Sequence, residues 1–251
     1  MLRGEGLRIY FAGVDRPSFL SELWRCGAKR ILISYADYRL SFATFAKHLE
    51  SYHFSILLDS GAYSAFTRGI KLDVTEYAKF LKEYGHYFEG YFNLDVIGDF
   101  DRTWDNQDYL ESQGLLPIPV FHYGEPTEII RFLAKKYERI GIGGMVPQSN
   151  SDLNKWLPTV FYDKAGAERY PGIKFHALGL TTRYLLEKFP WDSADSTKWL
   201  IGRKFGHTLY EHQGRGKEDS ITDKTLHNIE WHLRLEQEVD KSEYHGELRL
   251  F

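Results

Sequence analysis

Short runs of apolar residues without polar alternation recur along the chain, and each is followed by a segment with apolar residues at helical spacing. Unbroken apolar runs are typical of strands covered on both faces, and helical spacing is typical of amphipathic helices. The predicted strands are Arg8–Gly13, Arg30–Tyr35, Phe54–Asp59, Gly90–Asp95, Leu116–Phe121, Arg139–Met145, Ile173–Gly179 and Phe189–Ala194. The predicted helices are Pro17–Cys26, Leu40–Glu50, Val74–Tyr84, Thr103–Gln113, Thr127–Tyr137, Leu153–Ala165 with a break near Pro158, Thr182–Lys188 and Lys198–Phe205.

Eight strand-and-helix units in succession predict an α/β fold, a (β/α)8 TIM barrel, because each short crossover forces the next strand to lie parallel to the last. The barrel is expected over about residues 8–205. A C-terminal loop and helix follow over about 206–251, with Thr225–Val239 as the amphipathic helix. No linker or repeat divides the sequence, so a single domain over 1–251 is predicted. A doubly wound open sheet is the alternative.

Composition limits the class of protein. The chain is 43% hydrophobic and has no apolar run of the roughly 18 residues that a membrane-spanning helix needs. The first residues lack the apolar core of a secretory signal, so a soluble, cytoplasmic protein without membrane contact is expected. The one cysteine, Cys26, excludes an internal disulfide and a multi-cysteine zinc cluster. A net charge of -3 neither indicates nor forbids a nucleic-acid partner, since local basic surface decides phosphate contacts.

Three of the predicted strands end in a carboxylate: Asp59 on the third, Asp95 on the fourth and Asp192 on the eighth. Ligands bind at the carboxyl ends of strands in parallel α/β folds, so these side chains are expected to meet around one mouth. The alternative is that each caps a helix or pairs with a neighbouring arginine. Clustered acids also suit a metal, but no His-x-x-x-His or comparable spacing accompanies them, so neither a metal nor a cofactor is expected.

Short motifs on predicted strand ends carry a resemblance to one enzyme family. Leu58–Tyr63 resembles the Asp-Ser-Gly-Gly-Tyr/Phe motif of the tRNA-guanine transglycosylase superfamily, and Ile142–Met145 resembles its Gly-Gly-Leu segment. Phe-His-Ala-Leu-Gly-Leu-Thr from Phe175, then Leu-Leu-Glu, and Trp-Asp-Ser-Ala from Trp191 resemble its strand-helix-strand ending in Phe-Asp-Ser-Ala or Phe-Asp-Cys. The motifs keep the family's order and span most of residues 54–205.

This resemblance implies base exchange at the glycosidic bond of a guanosine nucleotide. The aspartate matching Asp192 attacks C1′, forms a covalent intermediate and frees guanine, while the one matching Asp59 is the general acid and base. A fixed carboxylate stabilises the positive charge that develops on the sugar and then traps the sugar. The residues at the family's base-binding positions are Ser60, Tyr63, Asp95, Gly143, Gly144 and Met145. Asp95 would read the guanine edge, Tyr63 would stack on the ring, and the last three would offer backbone contacts.

Further residues near the predicted mouth are candidates for substrate contacts. The family's base-reading glutamine is matched by Tyr123, or by His122 after a slip of one residue. By register His176 lies near the mouth and could touch the base, with a hydrogen-bonded core histidine as the alternative. Lys198 matches the family's phosphate-contacting arginine. The other candidate cations for nucleic-acid phosphates, each of which could equally be a solvated surface residue, are Arg203, Lys204, Arg215 and Lys217.

The choice of polymer rests on a missing motif. The tRNA enzymes carry a three-cysteine, one-histidine zinc motif after the eighth strand, which this sequence cannot hold. The shorter chain, with Ile-Pro-Val-Phe-His-Tyr-Gly-Glu from Ile118, is more similar to the DpdA-like DNA-guanine transglycosylases of phages and bacteria, which insert 7-deazaguanines into DNA. DNA is therefore the favoured partner, tRNA the alternative, and a 7-deazaguanine the co-substrate. Helper proteins or a homodimer are further partners that the sequence leaves open.

Two other functions stay open. A zinc-free tRNA or nucleoside enzyme would keep the chemistry, and it would be a glycosidase if water took the sugar. A non-catalytic nucleic-acid-binding barrel subunit would keep only the fold. The presence of both Asp59 and Asp192 argues against that second alternative, because a structural barrel does not need the pair.

Overall fold

A computed structural model describes residues 6–180, 182–205, 209 and 221–241, in which eight strands alternate with helices. The strands are β1 (Arg8–Ala12), β2 (Arg30–Ser34), β3 (Ser55–Asp59), β4 (Gly90–Tyr91), β5 (Val120–His122), β6 (Arg139–Gly143), β7 (Lys174–Ala177) and β8 (Trp191–Ser196). They form one sheet in the order β4-β3-β2-β1-β8-β7-β6-β5. The pairs β1–β2, β2–β3, β3–β4, β6–β7 and β7–β8 are parallel. The predicted (β/α)8 barrel fold is confirmed.

The helices follow the predicted alternation. They are α1 (Pro17–Arg25), α2 (Tyr35–Tyr38), α3 (Phe42–Leu49), α4 (Ala62–Thr67), α5 (Val74–Tyr84), α6 (Phe100–Ser112), α7 (Thr127–Lys136), α8 (Asn150–Phe161), α9 (Arg183–Lys188), α10 (Ile201–Phe205) and α11 (Ile221–Lys241). Turns of 3-10 helix occupy Gly85–Tyr87 and Lys198–Leu200. The short helices α2 and α4, which directly follow β2 and β3, were not predicted, because so few residues do not show a helical period.

The fourth and fifth strands are both shorter than predicted. Only the end of the predicted fifth strand forms a ladder, because Pro117 and Pro119 have no N–H to donate. The preceding residues still bridge to the chain after β4, where Phe92 pairs with Ile118 in parallel. β4 itself ends at Tyr91, so Asp95 lies in the following loop and not at the end of the strand as predicted.

The predicted break near Pro158 does not occur, and α8 continues to Phe161. A proline inside a helix removes one backbone hydrogen bond. However, Leu153, Leu157, Val160 and Phe161 are all buried, and their spacing places them along one face of the helix. Packing of this apolar face keeps the last turn helical.

The chain divides into two compact units, Tyr10–Val120 and, as far as they are described, Met1–Ile9 with Phe121–Phe251. In the first unit the ring of Phe42 packs among those of Phe45, Phe80, Tyr84, Tyr87 and Phe88. In the second unit the ring of Phe161 contacts those of Phe175, Phe189 and Trp191. Each unit therefore has an aromatic core of its own. That the whole chain acts as one domain stays a prediction.

The predicted C-terminal helix is present as α11 and extends beyond Thr225–Val239 at both ends. At 21 residues it is long enough in principle to span a bilayer, but charged residues occur throughout its sequence. Within the described ranges, no helix is both long and apolar enough to cross a membrane.

Candidate functional site

The carboxyl end of β3 holds the first group of candidate residues. Asp59 is the last residue of the strand, and its Oδ2 accepts a hydrogen bond from Gly61 N at 3.0 Å. Ser60 is fully buried, donates from Oγ to Asp95 Oδ1 at 2.7 Å and accepts from Ala62 N at 3.1 Å. The structure therefore brings Asp59, Ser60 and Asp95 together, as the sequence predicts.

Gly61 makes this sharp turn from β3 into α4 possible. Its φ is +73°, in the left-handed region that residues with a side chain rarely adopt. A Cβ at this position would lie 2.2 Å from Ser34 Oγ and 2.6 Å from Ala36 Cβ. The turn thus approaches the end of β2 more closely than any side chain allows, which fixes the backbone on both sides of Ser60.

A buried tyrosine lies near the two carboxylates. Tyr77 on α5 is fully buried and donates from its hydroxyl to Phe92 O at 2.8 Å. Burial raises its pKa well above the usual range, and the negative charge of Asp59 adds to this effect, with a smaller contribution from Asp95. The phenol is therefore neutral at physiological pH and keeps the proton that it donates to Phe92 O.

Two aromatic rings on α4 are exposed next to this turn. Tyr63 is 52% exposed and Phe66 is 67% exposed. Exposed rings can stack on a planar ligand and gain contact area with little loss of conformational entropy. The stacking role expected for Tyr63 is compatible with its exposure. Phe66, one helical turn further on, is a second candidate that no sequence motif indicated.

β8 places its carboxylates differently from the prediction. The strand begins after Pro190, which has no N–H for a ladder, so Asp192 is its second residue and Asp195 its last but one. The prediction that the eighth strand ends in Asp192 is therefore wrong, and Asp195 is the carboxylate at the carboxyl end. The sequence contained a signal for it, because the pair Asp-Ser occurs at 192 and again at 195.

Asp192 has a partner near the amino end of β8. It forms an ion pair with Arg8, the first residue of β1, and the two side chains are only 16% and 17% exposed. The register of β7 against β8 shifts between Phe175 and His176, which leaves Asp192 at an irregularity of the strand. This corresponds to the alternative in which a strand aspartate pairs with a neighbouring arginine.

Asp195 is held by two groups on one of its oxygens. Oδ1 accepts a hydrogen bond from Gly179 N at 2.8 Å and lies 3.3 Å from His176 Nε2. Oδ2 forms no hydrogen bond or ion pair with any residue of the described ranges, and 9% of the side chain is exposed. One oxygen is thus anchored, while the other remains available to a ligand.

His176 lies on β7 with its ring completely buried. Its Nδ1 is 2.9 Å from Ser193 Oγ, on the opposite side of the ring from Asp195. Burial lowers the pKa of His176, against the hydrogen bond and the charge of Asp195, which raise it. The ring has no exposed surface for a base, so the expected base contact is not supported and the hydrogen-bonded core histidine is what the structure contains.

The ends of β5 and β6 bring together a third group. Tyr123 N donates to Gly143 O at 2.9 Å, and the Tyr123 ring lies 4.9 Å from that of Trp156. Gly144 is exposed, whereas Gly143 and Met145 are buried. Of the three predicted backbone contacts, Gly144 is therefore the one that a ligand can approach directly.

His122 ends β5 and is occupied by its own turn. Its N donates to Glu125 Oε2 at 2.9 Å, and its Nδ1 lies 3.4 Å from Glu125 Oε1. Glu125 is a further carboxylate in the turn after β5, and no sequence motif had indicated it. Because Glu125 holds His122, Tyr123 is the better candidate for the base-reading position.

The predicted phosphate contacts differ in their surroundings. Lys198 follows β8 in a 3-10 turn, where burial lowers its pKa, and no anion among the described residues pairs with it. Arg203 and Lys204 on α10 are exposed. Arg215 and Lys217 lie outside the described residues. The described ranges also contain no group of three or more His, Cys, Asp or Glu side chains that could hold a metal ion.

Comparison with known proteins extends the fold assignment. No family model and no curated protein matches the chain. A mutant tryptophan synthase alpha-subunit from the hyperthermophile Pyrococcus furiosus superposes with a TM-score of 0.56 at 14% identity, covering 93% of this chain and 100% of that one. A structure of native KDPGal superposes with a TM-score of 0.53 at 12% identity, covering 94% of this chain and 100% of that one. At such identities the likeness supports the fold alone.

Proposed function

We propose that this protein is an enzyme that exchanges guanine in DNA for a 7-deazaguanine through a covalent aspartyl-glycosyl intermediate. Asp195 is the nucleophile in this proposal, in place of Asp192, and Asp59 is the general acid and base. The observation that carries it is the Asp195 carboxylate at the carboxyl end of β8, with Oδ1 anchored and Oδ2 unbonded to any described residue. In (β/α)8 enzymes, catalytic groups lie at that end of the strands.

The proposed reaction has two displacement steps at C1′. Oδ2 of Asp195 attacks C1′ of the target nucleotide, and the bond from C1′ to the guanine nitrogen breaks with its electron pair going to guanine. Asp59, as the acid, gives a proton to the departing base. As a carboxylate it then takes a proton from the incoming 7-deazaguanine, whose nitrogen attacks C1′ and releases Asp195. The fixed negative charge of Asp195 stabilises the positive charge that develops on the sugar in both steps.

The group at the end of β3 supports recognition of a guanine-like base. The Watson–Crick edge of guanine and of 7-deazaguanines presents N–H donors, which a carboxylate accepts well. Asp95 is oriented for such contacts by the hydrogen bond from Ser60. Tyr63 offers an exposed ring on α4, which begins just after Ser60, and the base can stack on that ring.

A polymeric substrate adds two requirements. A guanine in a duplex must leave the stack before a carboxylate can reach C1′, so the protein has to stabilise an extruded nucleotide. Phosphates then need nearby cations, and Lys198 meets this need, since it follows β8 directly and has no anionic partner among the described residues. These features suit DNA and tRNA alike, and DNA is favoured because the chain cannot hold the family's cysteine-rich zinc motif.

The test is the trapping of a covalent adduct. Purified protein is incubated with backbone-labelled DNA or tRNA, with and without 7-cyano-7-deazaguanine, and separated on a denaturing gel, while a second label reports released guanine. We expect the wild type and Asp192→Asn to form an adduct with DNA, and Asp195→Asn to form none. An adduct in Asp195→Asn, together with its loss in folded Asp192→Asn, would return the nucleophile's role to Asp192. An adduct with tRNA alone would change the substrate, and neither adduct nor guanine release with either polymer would reject the proposal.

A further inference from the structure

We infer that His176 is a positioning residue that fixes the Asp195 carboxylate for attack, with Ser193 setting the orientation of the imidazole. This inference rests on the proposed function, in which Asp195 is the nucleophile. It concerns a row of three side chains on β7 and β8. His176 Nε2 lies 3.3 Å from Asp195 Oδ1, and His176 Nδ1 lies 2.9 Å from Ser193 Oγ.

The contacts determine which nitrogen carries the proton. An ionised carboxylate only accepts hydrogen bonds, so the contact with Asp195 requires a proton on Nε2 of His176. In the neutral ring Nδ1 is then an acceptor, and Ser193 Oγ–H is placed to donate to it. Ser193 therefore favours the one tautomer that can donate to Asp195. A hydrogen bond at one ring nitrogen thus decides that the other nitrogen carries the proton and donates it to the acceptor on that side.

The position of the row makes this geometry rigid. Ser193 and His176 are completely buried, and their strands are paired at His176↔Ser193. A buried ring between two hydrogen bonds cannot rotate without leaving a buried polar group unsatisfied, which is unfavourable. The charged groups that act on His176 are Asp195 and Asp192 on β8 and Arg139 on β6. Of these, Arg139 opposes protonation of the ring, in the same direction as burial.

The same contacts have a role throughout the proposed reaction. Gly179 N–H and His176 Nε2–H both hold Oδ1, which prevents rotation of the carboxylate and keeps Oδ2 directed away from them. In the covalent intermediate Oδ2 becomes the ester oxygen and Oδ1 the carbonyl oxygen. When the incoming base displaces Asp195, negative charge returns to the carboxylate, and the two N–H groups stabilise it. His176 therefore acts on both steps without touching the sugar or the base.

A matched pair of variants separates positioning from packing. His176→Gln keeps an N–H donor near the position of Nε2, whereas His176→Asn is shorter and loses that donor. In single-turnover adduct formation with DNA, we expect His176→Asn to be slowed by about 10–100-fold, with KM for DNA within about twofold of wild type. His176→Gln should form the adduct at least about tenfold faster than His176→Asn. Ser193→Ala should slow the step by a smaller factor of roughly threefold to tenfold.

A measurement without substrate keeps the inference separate from the proposed function. Nitrogen chemical shifts of ¹⁵N-labelled imidazole at pH 7 distinguish the two tautomers, and we expect His176 protonated on Nε2 in the wild type, with a mixture in Ser193→Ala. Protonation on Nδ1 in the wild type would overturn the inference whatever the activity. Unchanged adduct formation in folded His176→Asn would overturn it while leaving Asp195 as the nucleophile. If the wild type itself forms no adduct, the proposed function is contradicted. The tautomer of His176 would still test its contact with Asp195.

Discussion

Ser60 Oγ donates a hydrogen bond of 2.7 Å to Asp95 Oδ1, 35 positions later in the chain. This bond links the turn after β3 to the loop after β4 and fixes one oxygen of Asp95. Ser60 is fully buried, so its hydroxyl does not depend on water for a partner. The two residues belong to different strand ends in the sequence and form one unit in the structure.

Replacing Ser60 by alanine should therefore weaken base recognition more than chemistry. A hydrogen bond to a charged group contributes about 1.5–3 kcal/mol, so we expect KM for the incoming 7-deazaguanine to rise by roughly tenfold or more. The rate at saturating base should change by less than about threefold. The matched control is Ser64→Ala, whose hydroxyl makes no side-chain hydrogen bond with a described residue. An unchanged KM in folded Ser60→Ala would show that Asp95 does not read the base.

The ion pair of Arg8 with Asp192 should contribute to stability and not to chemistry. Both side chains are largely buried, so Arg8→Met leaves a carboxylate short of its partner, and we expect a loss of about 2 kcal/mol in the free energy of unfolding. In the control pair Arg68 and Asp37 the side chains are 57% and 37% exposed, and Arg68→Met should change stability by less than about 0.5 kcal/mol. Urea unfolding measures both. Equal effects for the two variants would contradict a structural role for Asp192.

The sequence predicted the fold because its main signals are local. Each buried strand is an unbroken apolar run, and each run is separated from the next by a segment of helical period, so the order of elements required no tertiary information. The predicted first and last residues of individual strands were less accurate. The eighth strand was placed too early, since Phe189 and Trp191 both suit a buried strand and only Pro190 between them marks where the ladder can start.

That shift also explains why the proposed nucleophile differs from the one that the sequence predicted. Asp192 and Asp195 are both followed by serine, so a displacement of the strand exchanges one for the other without a change in local pattern. The choice between them depends on contacts that lie far away in the chain. Arg8 pairs with Asp192, while His176 and Gly179 hold Asp195. Asp59 was placed correctly at the end of β3, because there the apolar run and the acid are contiguous.

Lys198 should contribute to nucleic-acid affinity through counterion release. A cation that neutralises one phosphate changes the slope of log K against log salt by about one. We therefore expect Lys198→Ala to weaken binding to DNA and to reduce the magnitude of that slope by about one. Lys79→Ala is the control, because Lys79 is exposed on α5 and already paired with Glu76. A slope unchanged from wild type in Lys198→Ala would remove this residue from the phosphate contacts.

Gly61→Ala should be strongly destabilising, because the new side chain strains the backbone and also clashes with its neighbours. Gly69→Ala measures the first effect alone. Gly61 and Gly69 both have positive φ, +73° and +66°, but a Cβ at Gly69 meets nothing within 4 Å. We expect Gly69→Ala to cost about 1 kcal/mol for the backbone conformation. Gly61→Ala should cost about 3 kcal/mol or more, because a clash with Ser34 and Ala36 is added. Similar losses in urea unfolding for the two variants would show that the close approach of the turn to β2 is relaxed in solution.

His232 on α11 should make stability depend on pH. Burial lowers its pKa from 6.5 to about 4, and the positive charge of Lys198 acts in the same direction, against the bond to Asn228 O. The folded state then binds fewer protons than the unfolded state between these values, so stability is highest above pH 6.5 and falls as the pH drops toward about 4. Between pH 7 and pH 5 this one group should remove about 2 kcal/mol. His232→Asn keeps a donor for Asn228 O and cannot take up the proton, so the decrease in the urea-derived free energy should be smaller by that amount, whereas exposed His48→Asn should follow the wild type. A His232→Asn curve parallel to wild type would mean that His232 does not retain its low pKa in solution.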